Sequence, residues 1–246
     1  MNKKLSICLK SFLLVCSVSL FACSQPQAPS EQHSSEKTTI SDIESGTDYH
    51  SFSNPDEIKV THIDLDLYAD FNQKSLIGSA TLSFDRVNPH ATTLIVDTRD
   101  LTITRVNIDG NPIAFKLMAK DENLGAPLHI DVGTQANKVS IFYQTAASAS
   151  GVQWLTPEQT AGKKHPFLFT QAQAVHARSF IPLQDSPKVR VTYNAVIRTP
   201  PELLAVMSAA NDPDTQRDGE YEFTMTQPIP SYLIALAIGD LQFKAM

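Results

Sequence analysis

The sequence predicts an all-β protein, and three observations carry the prediction. Apolar and polar residues alternate over many short segments, the pattern of strands with one wet face. Such segments recur roughly every 8–15 residues from residue 58 onward, with turn chemistry between them. No amphipathic run of about ten residues or more follows the N-terminal apolar segment. Together these point to a large β-sandwich or an assembly of curved sheets.

The chain begins with Lys3-Lys4, an apolar run over residues 5–22, and Cys23. A basic start, an apolar stretch and small residues at its end are the layout of a secretory signal. The ending Leu20-Phe21-Ala22-Cys23 resembles a bacterial lipobox, in which the Cys is lipidated and becomes the mature N-terminus. Residues 1–22 are therefore expected to be a lipoprotein signal peptide and Cys23 the lipidation site. This makes the protein an exported, membrane-anchored bacterial lipoprotein that faces the periplasm. The alternative is an uncleaved anchor, since a run of about 20 apolar residues just spans a bilayer. The three Cys are at 8, 16 and 23, so no disulfide is expected in the mature domain. Residues 23–55 are rich in Ser, Gln, Pro, Thr and Glu and poor in large apolar side chains. They bury too little surface to offset ordering entropy and read as a flexible tether.

The β domain is assigned to residues 56–246. Ile63, Leu65, Leu67, Ala69 and Phe71 form the apolar set of the first strand. Asn72-Gln73-Lys74 reads as a turn, and Leu76, Gly78, Ala80, Leu82 and Phe84 continue the alternation on a partner strand. Residues 101–108 form a further strand. The turn signal Asp109-Gly110-Asn111-Pro112 follows, then Ile113, Phe115 and Leu117. Leu128, Ile130 and Val132, then Val139, Ile141 and Tyr143, repeat the period of two. Residues 189–197, 203–207, 221–225 and 232–241 are the later strands. The last is apolar on both faces and reads as an interior strand.

A net charge of -6 argues against a nucleic-acid footprint, which would be basic. The seven His form no His-Glu-x-x-His and no pair at i, i+4, and Cys are not clustered, so no metal site is expected in this chain. His62, His90 and His129 read as surface or structural residues, and His165 belongs to a turn before Pro166. A Gly-x-Ser-x-Gly elbow and a phosphate loop are both absent. No catalytic residue is expected here.

The segment with most placed polarity starts at Gln153 and the single Trp, Trp154, and runs on to Arg178. If it is extended, Phe167, Phe169, Gln171, Gln173 and Val175 share one face, and Thr170, His176 and Arg178 point to the other. Two amides on a largely apolar face point to a strand buried at one end and lining a polar cleft at the other.

The same residues carry a resemblance. Gln153-Trp154-Leu155-Thr156-Pro157-Glu158-Gln159-Thr160-Ala161-Gly162, and then Pro166-Phe167-Leu168-Phe169-Thr170-Gln171-Ala172-Gln173-Ala174, resemble the zinc aminopeptidase family of aminopeptidase N, in its leukotriene-A(4) hydrolase branch. Ala177-Arg178 with Pro182, Asp185 and Pro187 fits the family's A-R-x-x-x-P-x-x-D-x-P. Val96-Asp97-Thr98-Arg99-Asp100-Leu101-Thr102-Ile103 and Pro228-Ile229-Pro230-Ser231-Tyr232-Leu233 fit the same branch.

The resemblance implies a saddle-like N-terminal domain of curved mixed and antiparallel sheets. It places the zinc ligands and the G-x-M-E-N loop on a following catalytic domain, which these residues do not include, so no zinc is expected on this chain. It also implies that Gln171, Ala172, Gln173 and Ala174 line the substrate cleft, with peptides as substrates and the catalytic domain as partner. A Gln at 173 offers a substrate's α-ammonium only a neutral carbonyl oxygen where many relatives offer a carboxylate. Gln171 stays open between the cleft and a bond that satisfies a neighbouring loop. Arg178 and Asp185 are expected to brace the loop of Pro182 and Pro187, and Trp154 to pack. The chain thus reads as the substrate-lining part of an exported metallo-aminopeptidase, inactive alone. The alternative is a non-enzymatic β-domain lipoprotein that binds peptides or a partner.

Overall fold

The structure, a computed structural model, describes residues 48–212 and 214–244. Cys23, the signal segment and most of the tether lie outside the described residues. Among the described residues, fourteen strands make three sheets. The largest has the order β13-β11-β1-β2-β8-β4-β5. It comprises β1 (Ile58–Asp70), β2 (Ser75–Arg86), β4 (Thr102–Ile108), β5 (Asn111–Ile113), β8 (Lys138–Gln144), β11 (Arg190–Arg198) and β13 (Glu220–Pro230). β1 pairs parallel with β11, and every other neighbour is antiparallel, so the sheet is mixed. A three-stranded antiparallel sheet contains β3 (Thr93–Thr98), β7 (Ala126–Asp131) and β6 (Phe115–Leu117). A four-stranded antiparallel sheet has the order β12-β14-β10-β9. Its strands are β12 (Leu204–Met207), β14 (Leu236–Gly239), β10 (Phe167–Thr170) and β9 (Val152–Leu155).

The central hairpin follows directly from the residue pattern. Ile63, Leu65, Leu67 and Ala69 are buried, while Asp64 and Asp66 on the other face reach water. Each of the three large side chains contributes about 1.5–3 kcal/mol on burial. The turn forms because Asp70 Oδ1 accepts the backbone N–H groups of Asn72 and Gln73 at 2.8 and 2.9 Å. Register shifts at Val60/His62, Val191/Tyr193 and Ile103/Arg105 bend the large sheet. At the first of these, buried Gln184 bridges the irregular backbone, accepting from Val60 N–H at 3.0 Å and donating to Ile58 O at 2.8 Å.

Three expectations change. Contacts of the domain begin before residue 56: Phe52 N–H and Ser51 Oγ both donate to Asp97, and Asn54 bonds Thr93 and Ile95. The last apolar run is strand only over Leu236–Gly239, because Ser231–Leu233 forms a 3-10 turn first. It is an interior strand of its sheet, between β12 and β10. Finally, the extended segment does not reach Val175. It stops at Thr170, and residues 173–176 turn into a 3-10 element at Ala177–Ser179. Phe167 and Phe169 do share a face, with rings stacked at 5.8 Å, but the alternation ends there.

Candidate functional site

Residues 171–174 leave the end of β10 as an exposed wall held from behind. Gln171 N–H donates to Gly151 O at 2.9 Å, so the first residue is tied to the chain just before β9. Ala172 points inward at 3% exposure and belongs to the core. Gln171, Gln173 and Ala174 are exposed. Gln171 Oε1 accepts Gln173 N–H at 3.1 Å, the loop-satisfying bond for Gln171, and the Gln173 side-chain amide has no protein partner among the described residues. His176 N–H then donates to Ala172 O at 2.9 Å, which closes the turn.

Two glycines allow the neighbouring segments to come this close. A Cβ on Gly151 would lie 2.6 Å from His176 O and 2.9 Å from Ser179 Oγ. Ser179 Oγ fills that space instead, accepting Gly151 N–H at 2.8 Å and donating to His176 O at 2.7 Å. Gly125 has φ +84°, and a Cβ there would meet Thr98 O at 2.1 Å.

Around the turn, three segments converge on one arginine. Arg99 Nη1 donates to His176 Nδ1 at 3.1 Å and to Ser150 Oγ at 3.3 Å, and its Nη2 donates to Asn123 O. Ser150 Oγ lies 2.9 Å from His176 Nδ1. Arg99 Nε is buried without a partner. Burial first, and the nearby Arg178 guanidinium second, lower the Arg99 pKa.

The Arg178–Asp185 brace is more deeply buried than the sequence implied and has a third charged member. Arg178 Nε and backbone N–H donate to Asp185 Oδ2 at 3.0 and 3.2 Å. Its Nη2 donates to Asp185 O at 3.0 Å and His50 O at 2.7 Å, and its Nη1 to Leu124 O at 3.0 Å. Ser231 Oγ donates to Asp185 Oδ1 at 2.6 Å. Asp97 lies 3.7 Å from Arg178 and accepts from Ser51, Phe52 and Asp185 N–H. Burial pushes the Asp97 carboxyl up despite Arg178 and these three donors, which act to lower it. Asp97 was missed in the sequence. The available signal was a carboxylate directly after the apolar run Leu94-Ile95-Val96, which needs a partner if buried.

Trp154 packs as expected, edge-on to Phe71 at 5.2 Å. A shallow open depression lined by Trp154, Gln153, Lys74 and Ser150 contains none of residues 171–174. His62 is a surface strand residue bonded to Thr192 and Asp64. Among the described residues no group of three His, Cys, Asp or Glu side chains converges to hold a metal ion. These described residues do not fit a zinc site.

The architecture defines a β domain that carries an exposed, braced wall and no metal-binding group among its described residues. Residues 59–233 match the family described as the peptidase M1 N-terminal domain, and the chain belongs to that family. It is 38% identical over 205 residues to leukotriene A-4 hydrolase of Xenopus laevis, covering 79% of this chain and 34% of that protein. It is 36% identical over 209 residues to leucine aminopeptidase 2 of Aspergillus terreus, covering 81% of this chain and 34% of that protein. The chain thus spans about a third of the length of the curated relatives it matches. Among solved structures, yeast LTA4 hydrolase in complex with bestatin superposes with a TM-score of 0.75 at 32% identity, over 83% of this chain and 32% of that one. An M1 zinc metallopeptidase from Deinococcus radiodurans shares the fold at 17% identity and a TM-score of 0.57, over 74% of this chain and 42% of that one. The likeness to the leukotriene A-4 hydrolases is therefore the stronger of the two.

Proposed function

We propose that this chain is the substrate-lining N-terminal part of an exported zinc metallo-aminopeptidase that removes N-terminal residues from peptides. In this reading residues 171–174 form one wall of the substrate cleft. The zinc, its ligands and the group that anchors the substrate amine come from the family's catalytic domain. The observation that carries the reading is the wall itself. Gln173 and Ala174 stand exposed on a segment whose back is fixed by Gly151, Ala172 and His176, in a domain related to leukotriene A-4 hydrolase and leucine aminopeptidase 2. A side chain with free hydrogen-bonding capacity on an immobilised loop suits recognition, because little ordering entropy is lost on binding. The backbone around Ala172 and Ala174 would take up an extended peptide, as a sheet edge takes up a strand. Cys23 would carry the lipid that anchors the protein to a bacterial membrane on the periplasmic side, with residues 1–22 removed as signal and the tether after Cys23 spacing the domain from the lipid.

The test is peptidase activity. Purified residues 24–246 with added zinc are expected to release no fluorophore from an aminoacyl-coumarin substrate. The product of a reading frame that continues through G-x-M-E-N and His-Glu-x-x-His is expected to release it in a chelator-sensitive way. Chelator-sensitive release by residues 24–246 alone would overturn the assignment of chemistry to another domain. A longer product without aminopeptidase activity would overturn the enzyme reading.

A further inference from the structure

The proton on the His176 ring is fixed by what surrounds it. Arg99 Nη1, 3.1 Å from His176 Nδ1, can only donate. Nδ1 is therefore an acceptor, and the ring proton sits on Nε2. Ser150 Oγ lies 2.9 Å from the same nitrogen and accepts from Arg99 at 3.3 Å. The alternative tautomer would set an N–H against the guanidinium. Arg99 has no carboxylate within ion-pair distance among the described residues, and its buried Nε has no partner. Holding a half-buried cation in this way costs free energy, so its contacts to His176, Ser150 and Asn123 need a reason.

We propose that His176, locked as the neutral Nε2–H tautomer by Arg99 and Ser150, is a positioning residue for the wall at residues 171–174. The inference rests on the proposed role of that wall. His176 is bonded to the wall once, at Ala172, and is itself held at two further points. Its N–H holds Ala172 O, its C=O takes both the N–H and the Oγ of Ser179, and its ring is pinned to the loops at residues 123 and 150 through Arg99. The exposed Gln173 and Ala174 lie between the Ala172 and His176 anchors, so the ring's orientation sets where that span sits. Arg99 and His176 act on the wall through backbone, without contact to substrate.

The full-length protein, with histidine labelled with nitrogen-15, tests this. The ring signal lost in His176→Asn is expected to show the Nε2–H pattern, with an unprotonated Nδ1. Hydrogen exchange of peptides covering residues 168–176 is read on four proteins. Asn keeps an acceptor oxygen at the position of Nδ1, so His176→Asn is expected to stay within about twofold of the parent. His176→Leu and Arg99→Gln are expected to speed exchange by about fivefold or more, the loss of one hydrogen bond's net stabilisation. An Nδ1–H signal, equal exchange in the Asn and Leu variants, or unchanged exchange in Arg99→Gln would each overturn the proposal. If the exchange results hold while Gln173→Ala leaves peptide KM unchanged in the active enzyme, the coupling stands and the substrate-wall reading fails.

Discussion

Arg178 Nε donates to Asp185 Oδ2 at 3.0 Å, and neither side chain reaches solvent. The pair ties the turn after the wall to the loop of Pro182 and Pro187, and through Ser231 to the 3-10 turn between β13 and β14. Removing Asp185 leaves the buried Arg178 with Asp97 alone, 3.7 Å away, and breaking a buried pair costs about 3–5 kcal/mol. Asp185→Leu is expected to lose stability on that scale, a large share of the 5–15 kcal/mol that a domain of this kind typically has. Urea unfolding followed by Trp154 fluorescence measures it. Arg178→Met combined with Asp185→Leu and Asp97→Asn is expected to recover part of the loss, because no unpaired buried charge remains. A single-variant cost below about 1 kcal/mol would contradict the brace.

Gly151 is a second fixed point. An added Cβ would lie 2.6 Å from His176 O and 3.0 Å from Phe180 Cδ1, and these atoms are backbone and buried ring. Gly151→Ala is expected to cost about 1–3 kcal/mol, the usual range for overpacking. It is also expected to displace residues 171–176. A melting temperature within a degree of the parent, with unchanged hydrogen exchange over those residues, would show that the site relaxes freely.

How legible these features were depended on whether the cause was local. The β1–β2 hairpin could be read because alternation over Ile63, Leu65, Leu67 and Ala69 and an Asp70 turn are neighbour effects. β3 was not read as a strand, because Leu94-Ile95-Val96 has no alternation and Asp97 breaks the apolar run. The end of β10 was misplaced because Gln171 and Gln173 continue a period of two in sequence. What ends the strand is the bond from Gln171 to Gly151 and the turn from Ala172 to His176. The wall residues themselves could be named from the family pattern. Their support could not, since Arg99 lies 77 positions from His176.

Two carboxylates are expected to pull the pH dependence of stability in opposite directions. Burial raises the Asp97 pKa above 3.8, so its contribution is fully present below about pH 3.8 and is lost as pH rises through the folded value. Asp64 is also penalised by burial, but bonds from Asn194 and His62 and the charge of Lys138 outweigh that and lower its pKa. Its contribution is present above about pH 3.8 and is lost as pH falls through the folded value. Asp97→Asn is expected to make stability fall less steeply with rising pH above about pH 4, whatever it does to absolute stability. Asp64→Asn is expected to flatten the acid limb below about pH 4. Urea midpoints across pH 3–7 read both slopes, and unchanged slopes in both variants would remove these groups from the account.

Gln173 provides the most direct test of whether the wall meets a substrate. Its side-chain amide is exposed and has no protein partner among the described residues. A neutral amide oxygen accepts from an ammonium group more weakly than a carboxylate does, because the carboxylate adds an opposite charge. In the active enzyme, Gln173→Glu is therefore expected to lower KM for aminoacyl substrates with a free α-amine by about three- to tenfold, the scale of one charge-assisted bond at a partly exposed site. An N-acetylated analogue used as inhibitor is expected to gain nothing, since it carries no cation. Raised salt is expected to erode the gain, because an exposed pair is screened. An equal change for free and acetylated ligands would mean that the substitution reshapes the wall and does not contact the amine.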